Sequence, residues 1–444
     1  MILSRALSQD DYGSYRQIWL LVTIFSQIVI FGLPSSITFF VSGKEKQERY
    51  FYQAVFMILL SSVAQLGLII LFKNEIGRLF NNSELPLLLM SSLPLFLLFP
   101  FTHLISPSLV AKGFYKSSAF LSILYSVLIL GGIFVGILVL PDSFTAIKYF
   151  TIAILIYVIF ALIVTIRKFP FRFLRFSFAS IYEQFKYSLP LGLAISVELI
   201  SKFTDKIIVS NAVSTADFSI FVNGAFEIPF VSLISGAAMA ILFPEFVKYY
   251  RNHNFQEIAV RWKNSIRKTS TFLIPTMVFF LTFPRETMVS MYSTTYANST
   301  NIFFLYLFIL PLRVTIISQV ISAFNKNRLA LKAILVGLLL NLTLTYFLVK
   351  YFGMAGAPIG TIVSLYMINI YLLSAVKKEL NVTYASLLPV WHTLKLLILS
   401  VTIALAVRIL LPASIEVYIY LILAALIFFS SVAAVVITGK VVSW

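Results

Sequence analysis

The chain has 444 residues, of which 60% are hydrophobic and 11% are charged, and its formal net charge is +17. A soluble domain carries about 25% charged residues, so this composition excludes an ordinary soluble protein. Cysteine is absent and there are only three scattered histidines, which excludes disulfides and thiol chemistry and gives no support to a metal site.

Apolar runs recur along nearly the whole chain, and each is long enough to cross a hydrocarbon core about 30 Å thick as a helix. They predict an all-α polytopic membrane protein with thirteen full spans, which follow an apolar stub at 1–8 that is too short to cross. We number the stub as span 1. Spans 2 to 14 are predicted at 15–41, 50–72, 86–111, 117–140, 146–166, 187–211, 217–247, 269–292, 301–323, 329–349, 355–376, 392–411 and 416–438.

Positive charge collects in alternate gaps between these spans. One set of gaps holds 23 of the 34 basic residues and the opposite set holds eight. This is the positive-inside pattern, which places the first set in the cytoplasm. Because the charge follows short gaps, it does not indicate a nucleic-acid partner. Two basic segments, 169–188 and 248–268, are predicted to lie along anionic lipid at the membrane surface.

The two halves of the sequence resemble each other at two places. Residues 8–15 (SQDDYGSY) match 214–221 (STADFSIF) at an offset of 206, and 113–116 (GFYK) match 323–326 (AFNK) at an offset of 210. Six spans separate the matched points, so the halves cross in the same direction, as in secondary transporters with parallel repeats. The alternative is chance matching between apolar sequences.

The repeat predicts two parallel six-helix lobes around a central cavity. Residues 1–168 would form the N-terminal lobe with an incomplete first helix, and 187–376 the C-terminal lobe. A basic connector at 169–186 would join the lobes, and residues 377–444 would add two further helices, which are spans 13 and 14.

Four ionisable residues lie on span 7: Glu198, Lys202, Asp205 and Lys206. Such a residue costs about 2.5–3.5 kcal/mol inside a membrane, so it must face protein, water or a partner. At 100° per residue, the first three share one face of the helix. Two interpretations remain open: a polar wall of a water-filled cavity, or charges that only neutralise one another along the helix.

Arg313 lies near the middle of span 10, and at an offset of 210 it corresponds to His103 of span 4. Nearby prolines free backbone carbonyls, which membrane helices tolerate mainly beside protein or water. We therefore expect His103 and Arg313 to face each other across the repeat axis, although a histidine alone is more often a packed residue. Glu227 on span 8 is a carboxylate that either carries a coupling proton or pairs with Arg313 or Lys202.

The segment SQDDYGSY, together with Asp205-Lys206-Ile207-Ile208 and Asp217-Phe218-Ser219-Ile220-Phe221, resembles bacterial polysaccharide (O-antigen-type) flippases. These belong to the multidrug/oligosaccharidyl-lipid/polysaccharide exporter superfamily. The resemblance extends over essentially the whole chain. Family members usually carry a complete helix before this loop, whereas only MILSRALS precedes it here. We therefore expect the first helix to be incomplete, through truncation or a misplaced start site.

The resemblance implies a two-lobed membrane transporter, not an enzyme, in the inner membrane of a bacterium. It would flip an undecaprenyl-diphosphate-linked oligosaccharide to the outer leaflet by alternating access, for surface polysaccharide such as O-antigen or lipopolysaccharide. A glycan polymerase or glycosyltransferases would be its functional neighbours. No bound cofactor is implied beyond a coupling proton or sodium ion.

On this reading, the residues that attract the diphosphate are Arg313, Lys202, Lys206 and His103. The residues that balance charge or couple an ion are Glu198, Asp205 and Glu227. Two rival functions remain open: a cation-coupled multidrug exporter of the same superfamily, and an intramembrane glycan polymerase or ligase. The first would have an acidic cavity, and the second would need a sizeable outer loop or a histidine-centred site.

Overall fold

The computed structural model describes residues 1–42, 47–169, 177–412 and 414–438, which fold into helices and turns without a strand. Up to residue 224 the α-helices are α1 (Ile2–Ala6), α2 (Gln9–Ile30), α3 (Leu33–Val41), α4 (Gln47–Leu79), α5 (Leu85–Ser91), α6 (Leu93–Ala111), α7 (Tyr115–Val139), α8 (Ser143–Lys168), α9 (Phe178–Ala212) and α10 (Thr215–Gly224).

The remaining α-helices are α11 (Pro229–Arg251), α12 (Phe255–Thr282), α13 (Pro284–Tyr292), α14 (Ser299–Tyr306), α15 (Leu310–Thr315), α16 (Ile317–Ala323), α17 (Asn327–Phe352), α18 (Gly356–Leu380), α19 (Tyr384–Leu387), α20 (Val390–Leu410) and α21 (Val417–Ile437). Short 3-10 helices lie at Thr294–Tyr296, Leu307–Ile309 and Gly353–Ala355.

Each predicted full span coincides with one helix or with a group of consecutive helices. Within the described ranges, nine stretches are long and apolar enough to cross a membrane, or eleven when each of two sharply bent helix pairs counts as one span. The prediction of thirteen is larger for two reasons. The stretch Arg328–Leu380 counts once although it contains α17 and α18, and α9 does not qualify because it carries the charged residues of span 7.

The chain packs as two compact units, Ile2–Ser219 and Ile220–Trp444, which we call the N-terminal and C-terminal units. Helix α9, which contains span 7, packs in the N-terminal unit: Gln17 on α2 donates to Ser210 on α9 across 2.9 Å. The repeat in the sequence predicted that the second lobe begins at residue 187, whereas the packing of the helices divides the chain after Ser219. The lobe boundaries and the repeat axis stay predictions, and residues 170–176 of the predicted connector lie outside the described residues.

The alternation of the gaps is visible inside the N-terminal unit. At one end, Lys112 contacts Glu48 across 2.8 Å and donates to the carbonyl of Lys168 across 3.0 Å, which joins three of the basic gaps. At the other end, Asn82 donates to Ser14 across 2.9 Å. The chain therefore crosses this unit in the alternating order that the charge pattern predicts.

The first matched pair of segments has the same local structure in both copies. The Ser8 hydroxyl accepts from the amide of Asp11 across 3.1 Å and donates to its carboxylate across 2.7 Å. Ser214 and Asp217 repeat this with distances of 3.1 and 2.8 Å. A serine at the N-cap satisfies an otherwise unpaired helix amide. The matched residues therefore start a helix in the same way.

The second matched pair is shifted by two residues. Gly113 and Asn325 both have positive φ, and each lies in a turn whose amides bond back to carbonyls three and five residues earlier. This is the Schellman ending of a helix, which favours glycine or asparagine at that position. The structural offset is therefore 212, not 210. His103 lies ten residues before its turn and Arg313 lies twelve before its own, and the break at Ile316 lies between Arg313 and its turn. Their equivalence stays a prediction.

Candidate functional site

An ion pair lies in the C-terminal unit between two residues that the sequence singled out. The Nη2 atom of Arg313 is 2.9 Å from Oε1 of Glu227, and the two side chains are 47% and 39% exposed. Both residues fall well inside predicted spans, at 301–323 and 217–247. Of the partners proposed for Glu227 from the sequence, the structure pairs it with Arg313.

Both members of the pair lie where a spanning helix is interrupted. Glu227 is in the non-helical stretch between α10, which ends at Gly224, and α11, which begins at Pro229. Arg313 is on the six-residue helix α15, which is preceded by a 3-10 turn and ends at Thr315. Non-helical backbone at membrane depth is tolerated only where it is buried in protein or lines water. The interruptions therefore mark this place as a polar site.

Close packing between spans 8 and 10 holds the two interruptions together. A Cβ atom on Gly224 would lie 2.5 Å from the Cβ of Ile302 and 2.6 Å from the carbonyl oxygen of Ser299, so only glycine fits. Nearby, the hydroxyl of Ser299 donates to the carbonyl of Ile220 across 2.7 Å. The start of span 10 is thereby fixed against the end of α10, just before Glu227.

The pair can bind an anion in a reversible way. A guanidinium presents five N–H donors in a rigid fork that suits carboxylate and phosphate oxygens. Since the side chain of Arg313 is about half exposed, part of this fork remains accessible beside Glu227. An incoming phosphate would compete with the carboxylate, and neutralising that carboxylate with a proton would release the arginine.

An apolar pocket of about 330 Å³ borders the same segment of span 10. Its walls come from α15, α12, α20 and the turn before α20. The lining residues include Pro311, Val314, Ile266, Ile274, Leu394 and Leu397. The C-terminal unit therefore places an apolar pocket and an arginine on one short helix.

The charges of span 7 divide between the surface and the interior of the N-terminal unit. Asp205 is 3% exposed, and its Oδ1 accepts from the amide of Lys206 across 2.7 Å and lies 3.8 Å from that residue's Nζ. Glu198 and Lys202 are exposed. The face expected from the sequence therefore holds both exposed and buried charges, because the packing of α9 buries Asp205.

His103 lies in the N-terminal unit on α6 and is half-buried. Its ring meets the ring of Phe99 edge-on, with centroids 5.3 Å apart, and Phe99 meets Trp19 in the same manner. It is thus part of an aromatic cluster. Arg313 belongs to the C-terminal unit, so the expected facing of these two residues stays a prediction.

Sequence reasoning missed a buried amide network at the end of the N-terminal unit opposite Lys112. The amide of Gln17 donates to the carbonyl of Phe80 across 2.9 Å, and Asn82 donates to the side-chain oxygen of Gln17 across 2.6 Å. Both side chains are buried. The only sequence signal is a glutamine in an apolar run, which predicts a hydrogen bond between helices and not its partners.

No group of three histidine, aspartate or glutamate side chains comes close enough to hold a metal ion in the described parts of the chain. The ion pairs at the candidate residues include Asp205 with Lys206 and Glu227 with Arg313.

Comparison with known proteins agrees with the resemblance read from the sequence. The family model described as "Polysaccharide biosynthesis protein" matches residues 2–301. No curated protein matches the chain. Among solved structures, the lipid II flippase MurJ in an inward closed conformation aligns with a TM-score of 0.76 at 17% identity, over 97% of this chain and 93% of that one.

Two other transporters share the fold. An inward-facing multidrug resistance MATE transporter of the MOP superfamily aligns with a TM-score of 0.64 at 13% identity, over 85% of this chain and 94% of that one. A MOP superfamily transporter from Pyrococcus furiosus, whose title describes a reverse polarity of the binding pocket, gives 0.58 at 13% identity over 85% and 90%. The predicted all-α membrane fold and the family resemblance are confirmed.

Proposed function

The chain belongs to the family of polysaccharide biosynthesis proteins, and we propose that it is a transporter that flips a lipid-linked oligosaccharide across the membrane. The cargo would be an undecaprenyl-diphosphate-linked oligosaccharide that crosses from the cytoplasmic to the outer leaflet of the bacterial inner membrane. Transport would proceed by alternating access and leave the glycan chemically unchanged. Glycosyltransferases would act before the transporter and a glycan polymerase after it.

The observation that carries this proposal is the half-exposed Arg313–Glu227 pair at two interrupted spans. A diphosphate needs charge-assisted donors, and an arginine fork supplies them bidentately. Export also needs release, so a permanently free arginine would bind too tightly. Glu227 provides a competing carboxylate that limits affinity for the diphosphate.

The apolar pocket beside α15 supports a cargo with a hydrocarbon tail. Its lining is mostly apolar, with three hydroxyl-bearing residues among the twelve, and it borders the same short helix as Arg313. A lipid-linked diphosphate combines an apolar chain with an anionic head in one molecule. The two chemical features of the C-terminal unit match the two parts of that molecule.

Glu227 also offers a route to ion coupling. Protonation of its carboxylate would break the pair with Arg313 and make the arginine available to phosphate. Deprotonation would restore the pair and favour release. Because cargo and proton would then move in the same direction, only a gradient that drives protons outward would drive export through this residue. Glu198 and Asp205 are the further candidates for a coupling proton or sodium ion.

Lys202 and Lys206 of span 7 and His103 of span 4 remain proposed contacts for the diphosphate or for anionic sugars. Lys202 is exposed and therefore accessible to cargo, whereas Lys206 is partly buried beside Asp205. Of the two lysines, Lys202 is thus the better candidate for direct contact.

A cation-coupled multidrug exporter is the second candidate function, and it is favoured by one observation. The side chain of Glu227 is 39% exposed and could attract a cationic compound. The MATE transporters share this fold, so the fold does not separate the two functions.

Reconstitution in liposomes separates these functions. We expect the purified protein to move an undecaprenyl-diphosphate-linked oligosaccharide between leaflets without changing its length or linkage, and not to accumulate a cationic dye such as ethidium. Dye accumulation without movement of the glycolipid would favour the multidrug exporter. A change in glycan length would favour an intramembrane polymerase or ligase.

A further inference from the structure

Span 10 is broken three residues after Arg313. Ile316 has φ 50° and ψ 37°, which is the left-handed region, and the helix resumes at Ile317 as α16. For a β-branched residue this conformation is an outlier, and such outliers persist only where surrounding structure holds them. The matched stretch of the N-terminal unit lies inside the continuous helix α6. The break is therefore a property of this span and not of the repeat.

The break removes helical hydrogen bonds from the segment that carries Arg313. In a continuous helix, the carbonyls of residues 313 to 315 would accept from the amides of residues 317 to 319. None of these bonds crosses the break in this described segment. A buried carbonyl without a partner is costly, so each of these oxygens needs another donor.

Side chains of two neighbouring helices supply those donors. The hydroxyl of Ser235 on α11 donates to the carbonyl of Arg313 across 2.9 Å. The indole nitrogen of Trp262 on α12 donates to the carbonyl of Thr315 across 2.8 Å. Thr269 lies 3.4 Å from the carbonyl of Val314 while donating to Ser265 across 2.8 Å. Ser235 and Trp262 are thus the two firm substitutes for the missing amides.

Both donors are built into the core of the C-terminal unit. Trp262 is 1% exposed and is among the largest fully buried side chains, and Ser235 is 9% exposed. A buried indole normally places its N–H on a specific acceptor, and here that acceptor is a carbonyl that the break leaves without a helical amide. The buried side chains of Ser235 and Trp262 therefore satisfy carbonyls that the broken form of span 10 leaves open.

The broken and continuous forms of span 10 satisfy the same carbonyls with different donors. Amides would replace Ser235 and Trp262 in the continuous form, and the strained Ile316 would relax to helical φ. A segment with two such packings can act as a discrete switch. Straightening would rotate and shift Arg313 relative to Glu227, because the two residues lie on separate elements.

We propose that Ser235 and Trp262 are positioning residues that hold span 10 in its broken form and so place Arg313 against Glu227. Straightening of the span at Ile316 is then the local step that separates this pair. The importance of that step for cargo rests on the proposed function, since it concerns the arginine assigned to the diphosphate. The existence of the hinge does not depend on the proposed function.

A distance measurement inside the C-terminal unit tests the hinge. The natural lack of cysteine allows spin labels at Phe304→Cys and Ser322→Cys, on either side of the break. In a continuous helix these positions would be separated by roughly 27 Å, from 1.5 Å of rise per residue. In the purified full-length chain without cargo, we expect wild type to give a shorter principal distance. We expect Ser235→Ala and Trp262→Phe each to shift population towards the longer distance.

Two further variants separate a hinge from general damage. Ile316→Gly removes the strain of the left-handed residue and should keep or sharpen the short distance, opposite to the other two variants. Leu233→Ala, which truncates a 71% exposed side chain two residues earlier on α11, should leave the distance unchanged. Distributions for Ser235→Ala and Trp262→Phe that superimpose on wild type would overturn the proposal. Because no cargo is present, failure of the flipping assay would leave this result intact.

Discussion

The guanidinium of Arg313 and the carboxylate of Glu227 meet across 2.9 Å, and neither residue is held by a regular helix on both sides. Charges inside membrane spans are expensive and usually mark a pathway for ions or substrate. Here the two charges lie in one unit, at adjacent interruptions, with an apolar pocket beside one of them. The pair is therefore the strongest candidate for contact with an anionic headgroup.

Neutralising Glu227 should strengthen anion binding. Glu227→Gln removes the carboxylate that competes for Arg313. Because partly exposed ion pairs contribute about 0–1 kcal/mol, the affinity for a diphosphate should rise by up to about fivefold. Titration of the purified protein with farnesyl diphosphate measures this. Weaker binding by Glu227→Gln than by wild type would show that the carboxylate helps to bind the headgroup.

The same variant tests coupling. If Glu227 carries the driving proton, Glu227→Gln should flip cargo at a rate that no longer responds to an imposed pH gradient. The Glu198→Gln variant is measured beside it, because Glu198 is the other exposed carboxylate proposed for coupling. A response to the gradient that is retained in Glu227→Gln and lost in Glu198→Gln would move the coupling role to span 7.

Gly224 should tolerate no side chain. A Cβ atom there would lie within 3 Å of both Ile302 and Ser299, so Gly224→Ala must separate α10 from α14. We expect Gly224→Ala to lower the thermal unfolding temperature. In the Gly224→Ala background, Glu227→Gln should also change the affinity for farnesyl diphosphate less than it does in wild type. Gly236→Ala is the control, since nothing lies within 4 Å of that position, and it should be neutral or slightly stabilising. Equal unfolding temperatures for the two variants would contradict the close packing.

The two matched helix starts should be equally sensitive to loss of the cap. Removing an N-cap serine costs about 0.5–2 kcal/mol, and Ser8 and Ser214 make the same two bonds. We expect Ser8→Ala and Ser214→Ala to speed amide exchange in the first turn of α2 and α10, respectively, by similar factors. Ser126→Ala, on an exposed face of α7, should leave both turns unchanged. A change at only one turn would mean that the repeat is one of sequence alone.

Single cysteines should report which exposed side chains contact water. A thiol reacts as its thiolate, which forms in water and not in lipid. We therefore expect Glu198→Cys and Arg313→Cys to react with a charged methanethiosulfonate, and the partly buried His103→Cys to react more slowly. Val127→Cys is 59% exposed at the middle of α7 but should face lipid and stay unreactive. Fast reaction at Val127 would show that exposure on α7 is exposure to water.

The length of the apolar runs and the alternation of basic residues between successive gaps were enough to predict the spans, because crossing a bilayer constrains both. The break at Ile316 could not be predicted, since an isoleucine in an apolar run favours continuous helix and only Ser235 and Trp262, far away in sequence, make the break tolerable. The interruption before α11 was not predicted either, since span 8 was predicted as one stretch at 217–247 although Pro229 closely follows Glu227.

The candidate site was predicted in part. Arg313 and Glu227 were identified by the cost of burying charge in a membrane, and their contact was one of several pairings that the sequence allowed. The equivalence of His103 and Arg313 stays a prediction, and the offset at the neighbouring turns is 212 because Gly113 matches Asn325 in local structure and not Ala323. The burial of Asp205 depends on how α9 packs, which helical periodicity alone does not determine.

The most direct test of the proposed function is the flipping of an undecaprenyl-diphosphate-linked oligosaccharide in liposomes that contain wild type, Arg313→Lys or Arg313→Ala. A bidentate charge-assisted contact is lost in the alanine variant, whereas lysine keeps the charge without the fork. We expect flipping by Arg313→Ala to fall at least about tenfold, which corresponds to about 1.4 kcal/mol. The lysine variant should lie in between, with all three proteins inserted equally. A rate for Arg313→Ala close to that of wild type would contradict the assignment of the headgroup to Arg313.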